Sequence, residues 1–482
     1  MRAGITRTLL ASLALAGAAP AAALTAQPRR PPSPSAQLGS PLGPEWGERQ
    51  PPSLVRRVLP NGLQVMLEPL PHVGRVAVAV AYRVGHRDQP EGYRGLAHLT
   101  EHLMFAGSPN TGEQGFFRYA EAAGATEYNA FTENDETLYY CVVPAHQLPT
   151  LLWLESDRMA YLLGYLEPAH VAAEQQVVLR EYYDRVVADP FGRARPVAWR
   201  HLFGPGHPYR DPFERREDLL AVRLDDVRTF FQRHYAPDRA TLAIVGAFEL
   251  APTLALVERY FGPIRRSGPP VEADWRDPGA VRPARVVYRT PRQRDHLDLL
   301  WRTPRWGEAA DGDLDLIAHA LAGTRASRLA ERLEDRGLAR TPAARQSREE
   351  LASVFRIGVS PGDGVSMLAL ETEVFRVLEG LVAAPPSGDE LVRAQEEFLR
   401  RHDATAADLG WRARLLSIAG RMSGRAPDEH PLAYDLRRYG GATPRALAAT
   451  AARWLDPADA VIVHVRYDPR APEEGRVAVE AR

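Results

Sequence analysis

The sequence predicts an α+β protein made of two similar α/β units. Three observations lead there. The chain has 482 residues, more than one ordinary core accommodates. The order strand, helix, helix, strand occurs twice, on either side of a stretch at 264–286 crowded with Pro, Gly and Arg. Hydrophobic residues make up 45% and charged residues 25%, a balance that folds rather than stays disordered.

Charge and cysteine content narrow the function classes. The formal net charge is −1, no lysine occurs, and the 60 basic residues are arginines scattered along the chain. Nucleic acid is therefore not expected as a partner, because phosphate binding needs a concentrated basic face. Cys141 is the only cysteine, so no internal disulfide and no thiolate metal cluster can form. A bound metal must be held by His, Glu and Asp.

Residues 1–26 read as an export signal. Arg2 and Arg7 precede an apolar stretch from about Leu9 to Ala23, with small residues for cleavage near Ala23 or Ala26. Gly17 and Pro20 break this stretch, which is too short to span a bilayer. The expected location is exported, periplasmic or secreted, with no membrane span in the mature chain. Residues 27–53, rich in Pro, Ser and Gly, are expected to form a flexible leader.

The first unit is expected over residues 54–265. Asn61-Gly62 makes a hairpin turn, and Val76–Val80 is a buried-type strand. Helical periodicity runs from Gly95 to a glycine stop at Gly107, and again from about Thr111 to Ala123. Strand patterns through Tyr128–Phe131 and Thr137–Val143 follow, then helices Leu148–Leu163 and Pro168–Val187, the latter opened by proline. Strand Ala240–Gly246 closes the unit. A linker is placed at 266–286 and a second unit at 287–470. There, strand Leu297–Trp301 leads to helices Asp313–Ala322 and Ser327–Arg336 and strand Ser353–Val359. The helix matching Gly95–Gly107 by order carries only His319, so one half is expected to lack a metal site.

The chemistry concentrates at His98-Leu99-Thr100-Glu101-His102. Residues four apart on a helix share a face, so both imidazoles project together, with Glu101 beside them. This inverted H-x-x-E-H order is a zinc-peptidase signature. Zinc needs the two nitrogens, a third protein ligand and a position open to water, while the carboxylate handles the proton. Read for structure alone, the segment is a helix with two surface histidines; Leu96, Leu99 and Leu103 give it an apolar side. Glu174 and Glu181 lie two helical turns apart on the Pro168–Val187 helix, and spacing does not choose between them as third ligand.

The run Gly95–Phe105 closely resembles the zinc helix of the pitrilysin/insulinase family. The resemblance extends through Leu59–Val65, Asn129-Ala130-Phe131-Thr132, Glu174–Glu181, His207-Pro208-Tyr209 and His234-Tyr235-Ala236-Pro237. It covers nearly the whole first unit and, more loosely, the second. It implies two homologous sandwich domains, each an antiparallel-rich sheet covered by helices. It further implies one Zn2+ per chain on His98, His102 and Glu181, Glu101 as general base, and Glu174 orienting a ligand. Asn129 and Ala130 match the family's edge strand, on which a peptide is laid as an added strand.

One departure stands out. Relatives that complete the site from their second half use an Arg and a Tyr seven apart, in a segment like Ser327-Arg328-Leu329 to Gly337-Leu338-Ala339. Here that segment is one residue shorter, Arg340 stands at the tyrosine position, and Arg332 lies beside, not at, the position seven residues before it. Relatives of this length work as pairs. The resemblance thus implies the catalytic subunit of a two-subunit endopeptidase, whose homologous partner supplies the Arg/Tyr pair, or a homodimer. Peptides or unfolded segments are the expected substrates. The competing readings are a non-catalytic peptide-binding or assembly subunit, and a zinc hydrolase acting on a non-peptide substrate.

Overall fold

The computed structural model describes residues 53–184, 192–268, 281–291, 294–422, 424–425, 429–472 and 475–480. The export signal, the leader up to residue 52 and most of the linker lie outside the described residues.

Two six-stranded sheets organise the chain. The first contains β1 (Val55–Val58), β2 (Gln64–Pro69), β3 (Arg75–Tyr82), β6 (Glu127–Thr132), β7 (Thr137–Pro144) and β8 (Ala240–Gly246), in the order β1-β2-β8-β3-β7-β6. The two-residue strands β4 (Gly107–Ser108) and β5 (Gly112–Glu113) pair separately. The second contains β9 (Ala284–Thr290), β10 (His296–Thr303), β11 (Ala339–Gln346), β12 (Ser353–Pro361), β13 (Val461–Tyr467) and β14 (Arg476–Glu480), in the order β11-β12-β10-β13-β9-β14. Read from opposite ends, the two orders correspond strand for strand. Each sheet holds one parallel pair, β2 with β8 and β9 with β13, and is otherwise antiparallel. The chain is thus α+β with two similar halves.

The helices of the first half are α1 (Leu96–Leu103), α2 (Gly115–Ala122), α3 (Leu148–Tyr161), α4 (Pro168–Tyr182), α5 (Ala194–Leu202), α6 (Arg216–Ala221), α7 (Leu224–His234) and α8 (Leu250–Phe261). Those of the second are α9 (Ala309–Ala322), α10 (Met367–Ala383), α11 (Gly388–Ala407), α12 (Leu409–Ile418), α13 (Pro431–Gly440) and α14 (Pro444–Trp454).

Strand β3 shows how sequence sets the layers. Its alternating Val and Ala present different faces. Val76, Val78 and Val80 join the core with Leu99 and Leu103 of α1, while Ala77, Ala79 and Ala81 pack with Ala413 and Leu416 of α12. The small alanines let the backbone of α12 approach closely. The arrangement is reciprocal: Ala194, Ala198 and Leu202 of α5 pack on Val286, Leu300 and Val463 of the second sheet. Each half therefore lends one helix to the outer face of the other half's sheet. Between them, the buried carboxylate of Glu68 on β2 pairs with the Arg412 guanidinium of α12.

Several elements differ from the sequence expectation. The linker expected to end at 286 already contains the start of β9, and β14 lies beyond the expected end at 470. A hairpin around Gly107–Glu113 replaces the first turn of the helix expected from Thr111. The helix expected over Ser327–Arg336 is present over 328–334, but it is π-helical at Ala330–Glu334 and followed by Gly337 at φ +68°. Strand β11 had no sequence signal, because Pro342 interrupts a polar run. Its register shifts between Arg340 and Ala343, beside Thr341 at φ +47°. As an edge strand with a bulge it tolerates the missing N–H.

Candidate metal centre

Helix α1 is entered through Gly95 at φ +109°, a left-handed entry that favours glycine. A Cβ there would press on Leu219 of α6 at 3.2 Å. The buried side chain of Gln89 accepts from the amides of Gly95 (2.8 Å) and Ala97 (3.1 Å), satisfying helix-start donors that no local cap reaches. All eight residues of α1 are buried, including His98, Glu101 and His102. The two histidines are therefore interior groups, not surface ones.

His98 Nε2 and His102 Nε2 lie 3.2 Å apart. A Glu181 carboxylate oxygen stands 3.6 Å from the first and the other oxygen 3.8 Å from the second. The three ligand atoms lie within 4.8 Å of one another, the one such metal-capable group among the described residues. Glu174 is placed differently: its Oε2 is 3.2 Å from His102 Nδ1, on the far side of the ring. Both glutamates project from one face of α4, as their spacing requires.

His98 has a matching support. Its Nδ1 is 2.6 Å from Glu214 Oε1, a residue of the loop after α5. With each Nδ1–H donating to a carboxylate, both Nε2 lone pairs aim at the same point. Two lone pairs and a carboxylate converging there repel one another unless a cation lies between them. Burial disfavours a charged His98, yet the Glu214, Glu101 and Glu181 carboxylates raise its pKa to about 9. Four carboxylates around two imidazoles make a pocket suited to a divalent cation. The donor set, two His nitrogens and a carboxylate, fits the open catalytic type of zinc site.

Glu101 lies beside this group. Its Oε2 accepts from the Thr132 hydroxyl at 2.5 Å, at the end of β6. Among the described residues strand β6 pairs only with β7 and forms the sheet's edge, with Asn129 opposite Tyr140 and Ala130 opposite Tyr139. Asn129 Oδ1 accepts from the Ala130 amide at 2.9 Å. This edge runs next to the Glu101 carboxylate. In the second half, Arg332 pairs with Glu373 at 3.0 Å and Arg340 with Asp363 at 2.5 Å, both on the exposed surface.

Sequence reasoning missed two members of this constellation. Glu214 carries no spacing signal, because 116 residues separate it from the histidine it holds. Thr132 stands within a stretch singled out for its edge-strand match, but its bond to Glu101 is a tertiary relationship.

The family model "Insulinase (Peptidase family M16)" matches residues 64–190, and "Peptidase M16 inactive domain" matches residues 221–398. Together they take in more than half of the chain. A protein called an uncharacterized zinc protease from Mycobacterium leprae is 33% identical over 292 residues, 59% of this chain and 64% of its own length. The chain thus spans just under two thirds of that relative. The mitochondrial-processing peptidase subunit beta of Saccharomyces cerevisiae is 27% identical over 223 residues, 44% of this chain and 45% of its own. Among solved structures, a protease from Helicobacter pylori superposes with a TM-score of 0.78 at 22% identity, covering 87% of this chain and all of the other. Pitrilysin superposes with a TM-score of 0.67 at 20% identity, covering 90% of this chain and 47% of its own.

Proposed function

We propose that this chain, which belongs to the insulinase (M16) family of peptidases, is a zinc-dependent endopeptidase acting on peptides or unfolded segments. The observation that carries this reading is the convergence of His98 Nε2, His102 Nε2 and the Glu181 carboxylate, each imidazole backed by a further glutamate.

His98, His102 and Glu181 would hold one zinc ion. Zinc bound there supplies Lewis acidity and makes water a nucleophile at neutral pH. Glu101 takes the proton of the attacking water and returns it to the leaving amine. The Thr132 hydroxyl holds one Glu101 oxygen and leaves the other to act. Asn129 and Ala130 offer the β6 edge, so a substrate in extended conformation is laid beside the reacting groups.

The active enzyme is read as a pair of similar chains. Two facts support this: the chain covers about half of pitrilysin, and Arg332 and Arg340 are engaged with acids of their own half. A homologous chain would supply the Arg and Tyr that hold the substrate carbonyl; in a homodimer the second half of one copy would instead face the other copy's metal centre. The N-terminal signal-like stretch supports export.

The test combines metal analysis with one substitution. Wild type is expected to hold one zinc per chain and to cleave labelled unfolded casein. Glu101→Gln is expected to keep the zinc and lose roughly 10²–10⁴-fold in turnover. Zinc without cleavage in wild type, alone or with any homologous chain, would instead favour a non-catalytic peptide-binding subunit.

A further inference from the structure

The second half carries no metal-capable group among the described residues, yet it is tied to the metal centre through one buried carboxylate. Asp135, in the turn between β6 and β7, is 1% exposed. It gathers three hydrogen-bond donors and one further guanidinium from four separate segments. Arg87 Nη1 donates to its Oδ1 at 2.6 Å, and the Tyr209 hydroxyl donates to the same oxygen at 2.5 Å. The Glu350 amide, from the second half, donates to Oδ2 at 2.8 Å, and Arg421 lies 3.4 Å from Oδ2. Tyr209 is itself fully buried, and its oxygen accepts from the Leu351 amide at 3.0 Å. Arg87 also donates to Glu350 at 3.0 Å.

Both sides of this hub lead to the metal centre. Asp135 is three residues beyond Thr132, whose hydroxyl holds Glu101. Tyr209 is five residues before Glu214, whose carboxylate holds His98. Between Tyr209 and Glu214, Gln89 donates to the Pro212 carbonyl at 3.3 Å while accepting from the start of α1. The same two residues thus anchor the segment that aims the base and the segment that aims a ligand.

We propose that Asp135 and Tyr209 are positioning residues through which the metal-free second half sets the geometry of the metal centre. This rests on the reading that zinc binds His98, His102 and Glu181. The Glu350–Leu351 backbone supplies two donors that only the correctly docked second half presents, so site assembly requires both halves. A merely structural buried pair would lower stability without moving metal affinity or turnover.

The test uses Tyr209→Phe, which deletes one hydroxyl and keeps the ring, in the full chain. Zinc affinity is read by chelator competition, and kcat and KM on labelled casein. The expected result is zinc affinity weakened about tenfold and kcat lowered by a similar factor, with KM within about twofold. Unchanged zinc affinity and kcat together with a lower melting temperature would overturn the proposal, as would a change in KM alone. If Tyr209→Phe does not fold, Asp135→Asn keeps the shape of the hub and is held to the same outcomes. Failure of wild type to bind zinc, or binding that His98→Ala leaves intact, would instead sink the underlying metal reading.

Discussion

Glu214 stands 116 positions after His98, yet its carboxylate oxygen is 2.6 Å from the His98 Nδ1. It holds the ring so that Nε2 faces His102 and Glu181. Removing such a partner typically costs tenfold to a hundredfold in metal affinity. Glu214→Ala is therefore expected to weaken zinc binding by roughly 10–100-fold in chelator competition. An affinity equal to wild type would show that His98 is aimed by something else.

Thr132 makes a different prediction, because it touches the base and no ligand. Thr132→Val removes the hydroxyl donor to Glu101 while nearly preserving volume. Turnover is expected to fall roughly tenfold to a hundredfold through misplacement of the carboxylate, with zinc content unchanged. Loss of zinc from this variant would place Thr132 in the metal's support instead.

The contact between the halves should be acid-sensitive through Glu68. Burial pushes its pKa up, but the hydrogen bonds and charges of His430 and Arg412 outweigh this and hold it below the ordinary 4.5. A depressed folded value means the stabilisation is fully present above the unfolded value and lost as pH falls through the folded one. Thermal unfolding of wild type should therefore steepen in its pH dependence below about pH 4.5. Glu68→Gln is expected to lack that component and to be less stable at pH 7 by about 3–5 kcal/mol, since Arg412 stays buried without its charge partner. Equal acid slopes in the two proteins would exclude Glu68 as the titrating group.

The exchanged helices predict that the halves do not fold apart. A fragment of residues 53–268 lacks α12, and its Ala77, Ala79 and Leu138 face would be left in water. It is expected to aggregate or to bind an apolar dye, while the fragment supplemented with residues 281–480 should regain a compact form. In the intact chain, Leu416→Ala is expected to cost about 2–5 kcal/mol, because Leu416 is fully buried against that face. A soluble, dye-silent 53–268 fragment would contradict the account of α12 as part of the first sheet's core.

Much of the fold was legible because its signals are local. The Val/Ala alternation of β3, the Asn61-Gly62 turn and the proline opening α4 each act within a few residues. Gly62 adopts φ +93°, with Val58 opposite Gln64 across the hairpin. Strand β11 was not legible, since an edge strand is held by one neighbour and can carry Pro342 at a bulge without an alternating pattern. The crossing of α5 and α12 was also hidden. An amphipathic helix reports that it has an apolar face, not which sheet receives it.

The sequence by itself determined the H-x-x-E-H helix, the pair of candidate carboxylates on α4 and the repeated order of elements. It did so because helical period and turn chemistry depend on nearest neighbours along the chain. Spacing along α4 does not choose between Glu181 and Glu174; the tertiary structure brings the first toward both Nε2 atoms and the second against Nδ1 of His102. It also brought Glu214 to His98, Thr132 to Glu101 and the second half to Asp135. Those relationships join segments far apart in sequence, and they follow from how sheets and helices pack rather than from any spacing the chain displays.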